Sequence, residues 1–127
     1  MVHNMNVFLE SESPLIITGV SPGVTNYLEF ETFPVNMILQ KYSSTKLNIQ
    51  GELFSGTTNC IILRVLCWKT KERTEELIYR YPVNKTFDIT SSFAVLERTL
   101  SVTPRIGFEN SSFSEGQKII VKEFRWH

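Results

Sequence analysis

The sequence is poor in the side chains from which most catalytic sites are made. Its only histidines are His3 and His127, at the two ends, so no imidazole lies in the body of the chain to serve as base or metal ligand. It has no Gly-x-Ser-x-Gly elbow, no phosphate-cradling glycine loop and no HExxH pair. Cysteine is nearly absent. Cys60 and Cys67 fall on one strand-like run, about 23 Å apart at the usual strand rise. A disulfide needs Cα atoms within about 7 Å. The two thiols are therefore read as reduced, small buried hydrophobes, with no second pair to complete a metal site. Charge of one sign is also missing: thirteen basic and thirteen acidic residues cancel. No long-range field draws the chain to nucleic acid or to an anionic membrane, and neither partner is expected. No stretch approaches the roughly 18 apolar residues of a membrane span. No basic-then-apolar leader opens the chain, and the compartment is left open.

What is present is a core-forming composition. The 127 residues are 42% hydrophobic and 12% aromatic, with nine Phe. A domain of this size buries roughly two-thirds of its unfolded surface. Residues 1–127 are read as one domain, with 1–5 as an expression leftover or an unstructured terminus. Strand signals dominate the second half: Lys46 to Phe54, Asn59 to Lys69, Glu75 to Val83, Phe87 to Thr90, Ala94 to Val102, Arg105 to Glu109 and Lys118 to Trp126. Turn clusters such as Ser55-Gly56, Pro82, Pro104 and Ser111 to Gly116 bound them. Shorter strands are expected at Asn6 to Glu10, Leu15 to Thr18 and Asn26 to Thr32, with a resumption after Pro34 at Asn36 to Tyr42. A helical alternative exists for Phe93 to Leu100. Such a series builds an all-β, antiparallel sandwich or barrel. Nothing repeats at a fixed period.

The hairpin around Lys69 to Thr74 can be read face by face. Leu63, Val65, Cys67, Leu77, Tyr79 and Tyr81 form the better core face. Ile62, Arg64, Leu66, Trp68, Glu76, Ile78 and Arg80 occupy the other. A register that sets Arg64 opposite Arg80 places two like charges together, which calls for an acidic partner or a ligand between them. In the last strand Phe124 and Trp126 share one face, and Glu123 and Arg125 the other.

The order of these signals resembles carbohydrate-binding modules. Lys46 to Trp68 (KLNIQGELFSGTTNCIILRVLCW) is similar to the alternating strand, glycine-containing turn and long strand of those modules. Phe87 to Val102 (FDITSSFAVLERTLSV) resembles the "ITSSWQTYSFTF" stretch that follows. RIGFEN (Arg105 to Asn110) and QKIIVKEFRW (Gln117 to Trp126) resemble the closing strands. The resemblance covers about two-thirds of the chain and lies in the pattern rather than in an exact motif. It implies a two-sheet antiparallel β-sandwich of jelly-roll type that binds a saccharide or glycan without catalysis, as an accessory to a larger glycan-active protein. Members of the family often hold a structural calcium between an Asp pair in the last strand and acidic residues near the start. Here Lys122-Glu123 replaces the Asp pair, and a Lys at a calcium-ligand position is unfavourable, although Glu10 and Glu12 remain near the start; no cofactor is expected, with structural calcium the disfavoured alternative.

The residues chosen for ligand binding are Trp68, Arg64, Arg80 and Glu76. An indole stacks on the apolar face of a sugar ring, and Arg and Glu bond its hydroxyls. The opposed bland reading has Trp68 capping the core edge and the Arg heads reaching for water. Tyr79, Tyr81 and Trp126 are read as core. Glu29, Glu31, Glu52, Glu75, Glu76 and Glu109 offer carboxylates for a glycosidase pair, but carboxylates at outward strand positions are ordinarily solvated. The sequons at Asn84 and Asn110 are short and common. A second class of function stays open: a structural, oligomerising or protein-interaction domain of the same fold, capsid-like, tail-like or accessory to an enzyme, self-association included.

Overall fold

A computed structural model describes residues 3–21, 23–36, 46–54, 59–72, 74–83, 86–92, 98–108 and 118–126. In chain order the strands are β1 (His3–Met5), β2 (Val7–Glu12), β3 (Leu15–Val20), β4 (Tyr27–Glu29), β5 (Phe33–Pro34), β6 (Lys46–Phe54), β7 (Asn59–Trp68), β8 (Thr74–Val83), β9 (Thr86–Ser92), β10 (Ser101–Phe108) and β11 (Lys118–Trp126). They form two antiparallel sheets. The first runs β1-β4-β10-β7-β8, with β5 also on β10; the second runs β2-β3-β11-β6-β9. The chain is an all-β, two-sheet antiparallel β-sandwich, as the strand signals imply. Four of its pairings nest inside one another: β7 with β8, β6 with β9, β4 with β10 and β3 with β11.

Alternation along the strands sets the core. Ile61, Leu63, Val65 and Cys67 of β7 point inward and are fully buried, with Val102, Ile106 and Leu28 beside them. Ile17, Leu47, Ile49 and Ile119 meet them from the second sheet. Leu77, Tyr79 and Tyr81 pack against this core, so the expected inner face of the β7–β8 hairpin holds. Cys67 is a buried thiol. Burial raises the Tyr79 phenol pKa above its ordinary value, and Tyr81 and Cys67 add to the effect. Phe30 stacks on Phe124 across the sheets at 3.8 Å, and Trp126 is buried, edge-on to Phe33 at 5.9 Å.

The inward residues of β11 change parity, from Ile119 and Val121 to Phe124 and Trp126. An unbroken strand cannot bury both pairs on one face. The ladder with β6 accordingly skips a residue between Val121 and Glu123, a β-bulge at Lys122. Gly51 lies opposite Val121, and a Cβ there would run into the Ile120 backbone and the Phe87 ring.

Four expectations need correction. His3–Met5 are not an unstructured terminus; they pair with β4 as an edge strand. Val35 and Asn36 take helical backbone rather than resuming a strand. Pro104 does not divide two strands, because β10 runs straight through it, while Arg98 to Leu100 of the expected Ala94 to Val102 strand lie outside β10. A proline inside a sheet lacks a ladder donor. Here the partner edge is broken instead. The Pro104 carbonyl accepts from Phe30 N at 2.9 Å, so its donorless side faces the gap between β4 and β5. Finally, Arg64 lies opposite Ile78, not Arg80, and Arg80 lies opposite Ile62. The helical alternative at 93–97, the turns at 55–56 and 111–116, the resumption at 37–42 and both sequons fall outside the described residues.

Candidate functional site

The gap opposite Pro104 shapes the end of the first sheet. It leaves Thr32 out of the ladder, and Thr32 Oγ1 reaches Thr103 Oγ1 at 2.6 Å. Thr103 in turn accepts from Trp68 Nε1 at 2.8 Å. Leu100 N bonds the Trp68 carbonyl at 2.8 Å, and Val35 N bonds the Leu100 carbonyl. The indole is thus held at the end of β7 by a short hydroxyl chain that Pro104 makes room for. Trp68 is half-buried and lines an open cleft with Thr32, Thr70, Lys71, Leu100 and Ser101. The cleft holds about 330 Å³, at the small end of ligand sites. Leu100 is 67% exposed at its rim.

The other residues chosen from the sequence share this outer face but not the cleft. Arg64 is four residues up β7 from Trp68, about 13 Å away at the strand rise. Glu76 stands opposite Leu66, between them, and pairs with Arg64 at 3.5 Å. Arg80 stands opposite Ile62, about 20 Å from Trp68. The four therefore form a stripe, and the two Arg side chains expected to oppose each other do not.

Arg64 does face an arginine, on the strand the sequence could not place beside it. Arg105 of β10 is its direct partner, and Glu29 of β4 lies beyond. Arg105 binds Glu29 Oε1 through Nε at 2.8 Å and Nη2 at 2.6 Å, with its guanidinium 4.0 Å from the Tyr27 ring centroid. Each arginine has its own carboxylate, while Arg64 Nε is buried without a hydrogen-bond partner. The sequence reading missed Tyr27, Thr32, Thr103 and Arg105. A stacked Tyr-x-Glu on one strand and a Thr-Pro-Arg on another carry no signal until the strands are known to be neighbours.

No calcium cradle is assembled among the described residues, where no three His, Cys, Asp or Glu gather. Glu10 pairs with Lys118 at 2.7 Å, Lys122 with Glu52 at 2.7 Å, and Glu123 with Arg125 at 3.3 Å. No helix among the described residues is long and apolar enough to cross a membrane.

No protein-family model and no curated protein matches the chain. Among solved structures it is similar to the secreted serine protease VesC from Vibrio cholerae, with a TM-score of 0.54 and 12% identity. The match covers 99% of this chain and 24% of that one, so the chain spans about a quarter of the protease's length. At that identity the likeness is one of fold.

Proposed function

We propose that this domain is a non-catalytic carbohydrate-binding module of jelly-roll type that receives a sugar ring in the Trp68 cleft. The jelly-roll reading is supported by the four nested pairs, which run as one long folded ribbon wound into two sheets of order β3-β11-β6-β9 and β4-β10-β7-β8. The binding reading is carried by one observation. A Trp ring, anchored by its own N–H, lines an open and mostly apolar cleft together with Thr32, Thr70, Lys71, Leu100 and Ser101. An anchored ring costs little entropy to stack upon, and a mostly apolar wall beside an indole suits the C–H face of a sugar ring. The need for an acidic partner or ligand between opposed Arg64 and Arg80 falls away with the register. The Arg64–Glu76 pair serves instead as a polar extension along the same face.

A glycan-array screen followed by calorimetric titration tests this. Trp68→Ala is expected to abolish binding and Trp68→Tyr to retain it in part, with circular dichroism showing both folded. Unchanged affinity in Trp68→Ala would end the proposal. The exposed Leu100 beside the indole favours an interaction domain as the second reading; its signature is a binder lost in Leu100→Ser and no glycan hit at all.

A further inference from the structure

Among the described residues the two sheets end on β1 and β8 and on β2 and β9, and these edges are not defended alike. An exposed edge offers unpaired N–H and C=O groups, and proteins usually blunt it by shortness, bulges or charge. β1 is three residues long. β2 is broken by register shifts on both sides of Leu9. β9 presents Thr86, Asp88 and Thr90 outward, so self-pairing brings Asp88 against a hydroxyl or against itself. β8 differs. It runs ten residues in unbroken register with β7, and among the described residues no strand pairs with its other edge. On its outer face, midway along, Ile78 is 44% exposed between Glu76 and Arg80.

That sequence is its own complement. We propose that β8 pairs antiparallel with β8 of a second copy about a two-fold axis at Ile78, joining the two first sheets into one continuous sheet. In this register Ile78 meets Ile78 of the other copy. Glu76 meets Arg80, and Arg80 meets Glu76, so opposite charges lie directly across from each other twice. On the inner face Leu77 meets Tyr79, which continues the apolar layer across the junction. Shifting the pairing by two residues in either direction loses the double charge match, so the pattern selects this register. Glu76 keeps Arg64 at 3.5 Å on its own side and becomes a bridge between two cations.

Sedimentation of the full chain over a wide concentration range tests the pairing. A monomer–dimer equilibrium is expected. Arg80→Glu sets Glu against Glu76 twice, and Glu76→Lys sets Lys against Arg80 twice. Each variant is expected to weaken its own dimer about tenfold or more. Mixed together, the two variants restore both attractive pairs, and a heterodimer of wild-type affinity is expected. Far-UV circular dichroism of each variant separates loss of pairing from loss of fold. The proposal is overturned by a wild-type chain that stays monomeric at millimolar concentration, by variants that dimerise as the wild type does, or by a mixture that fails to re-form the dimer. Each readout is independent of whether a glycan binds.

Discussion

The outer faces of the two sheets are built on different plans. The second sheet shows water a set of lysine–carboxylate pairs, Lys118–Glu10 and Lys122–Glu52, and a neighbouring Arg125–Glu123 pair on one strand. These are long exposed side chains in high dielectric, where an ion pair is worth little. The first sheet uses arginine instead, with two guanidinium nitrogens on one Glu29 oxygen, a tyrosine beneath the guanidinium and an anchored indole at one end. Ile62 and Leu66 lie on this same outer face yet are only 5% and 8% exposed. A face on which Ile62 and Leu66 are nearly buried is organised, while the other is merely solvated. Arginine suits that role because its planar fork is ordered by each contact it makes, whereas an ammonium is not.

Substitution can break the contrast at several strengths. The largest effect is expected where the second sheet has its one rigid requirement. Gly51→Ala forces a Cβ into the Ile120 backbone and the Phe87 ring, and a loss of about 3 kcal/mol is expected from chemical denaturation. Next comes the organised face. Trp68→Ala removes a half-buried ring and its bond to Thr103, for about 2 kcal/mol, while Trp68→Phe keeps most of the ring and loses about 1 kcal/mol. If the alanine variant melts with the wild type, the indole is not anchored as described. Arg105→Ala gives up the Glu29 pair and the Tyr27 contact together, and about 1 kcal/mol is expected. Its counterpart Lys122→Ala on the second sheet should cost about 0.5 kcal/mol or less. Equal losses in these two variants would erase the distinction between the faces.

The smallest effect concerns pH. The Tyr79 phenol pKa is raised in the folded state, chiefly by burial. The native chain therefore holds that proton when the unfolded chain has released it. The stability this confers is complete below the ordinary phenol pKa of about 10 and is lost as pH rises through the higher folded value. Tyr79→Phe should flatten the alkaline decline measured by urea titration on either side of that range, and an unchanged slope would count against the assignment.

The same residues show why part of the molecule was legible from the sequence and part was not. The faces of β7 and β8 follow from alternation, and both were read correctly. Their partners were not, because taking Lys69 and Glu75 as the strand ends, instead of Trp68 and Thr74, slides the register by two. A one-residue slip turns every side chain over and betrays itself; a two-residue slip leaves each face intact and only changes neighbours. Periodicity is blind to it, and with it went the Arg64–Arg80 pairing. The bulge at Lys122 was written in the parity change from Val121 to Phe124. Pro104 read as a strand end because the rule against proline in a sheet is sound; the sheet met that rule by breaking β4 from β5. The neighbours Arg105, Glu29 and Tyr27 are set by pairings between distant segments, on which local sequence is silent.

The nested pairs also impose an order in time. β7 and β8 are joined by residues 69–73 alone, a closure of microseconds. β6 and β9 meet cheaply only once that hairpin exists, β4 and β10 only after them, and β3 and β11 last, with most of the chain already gathered between them. A chain zipped from its middle outward pays loop closure before its termini contribute, and folds in milliseconds to seconds. Changes in the β7–β8 turn then act on the rate of folding, and changes along β3 and β11 act on the rate of unfolding.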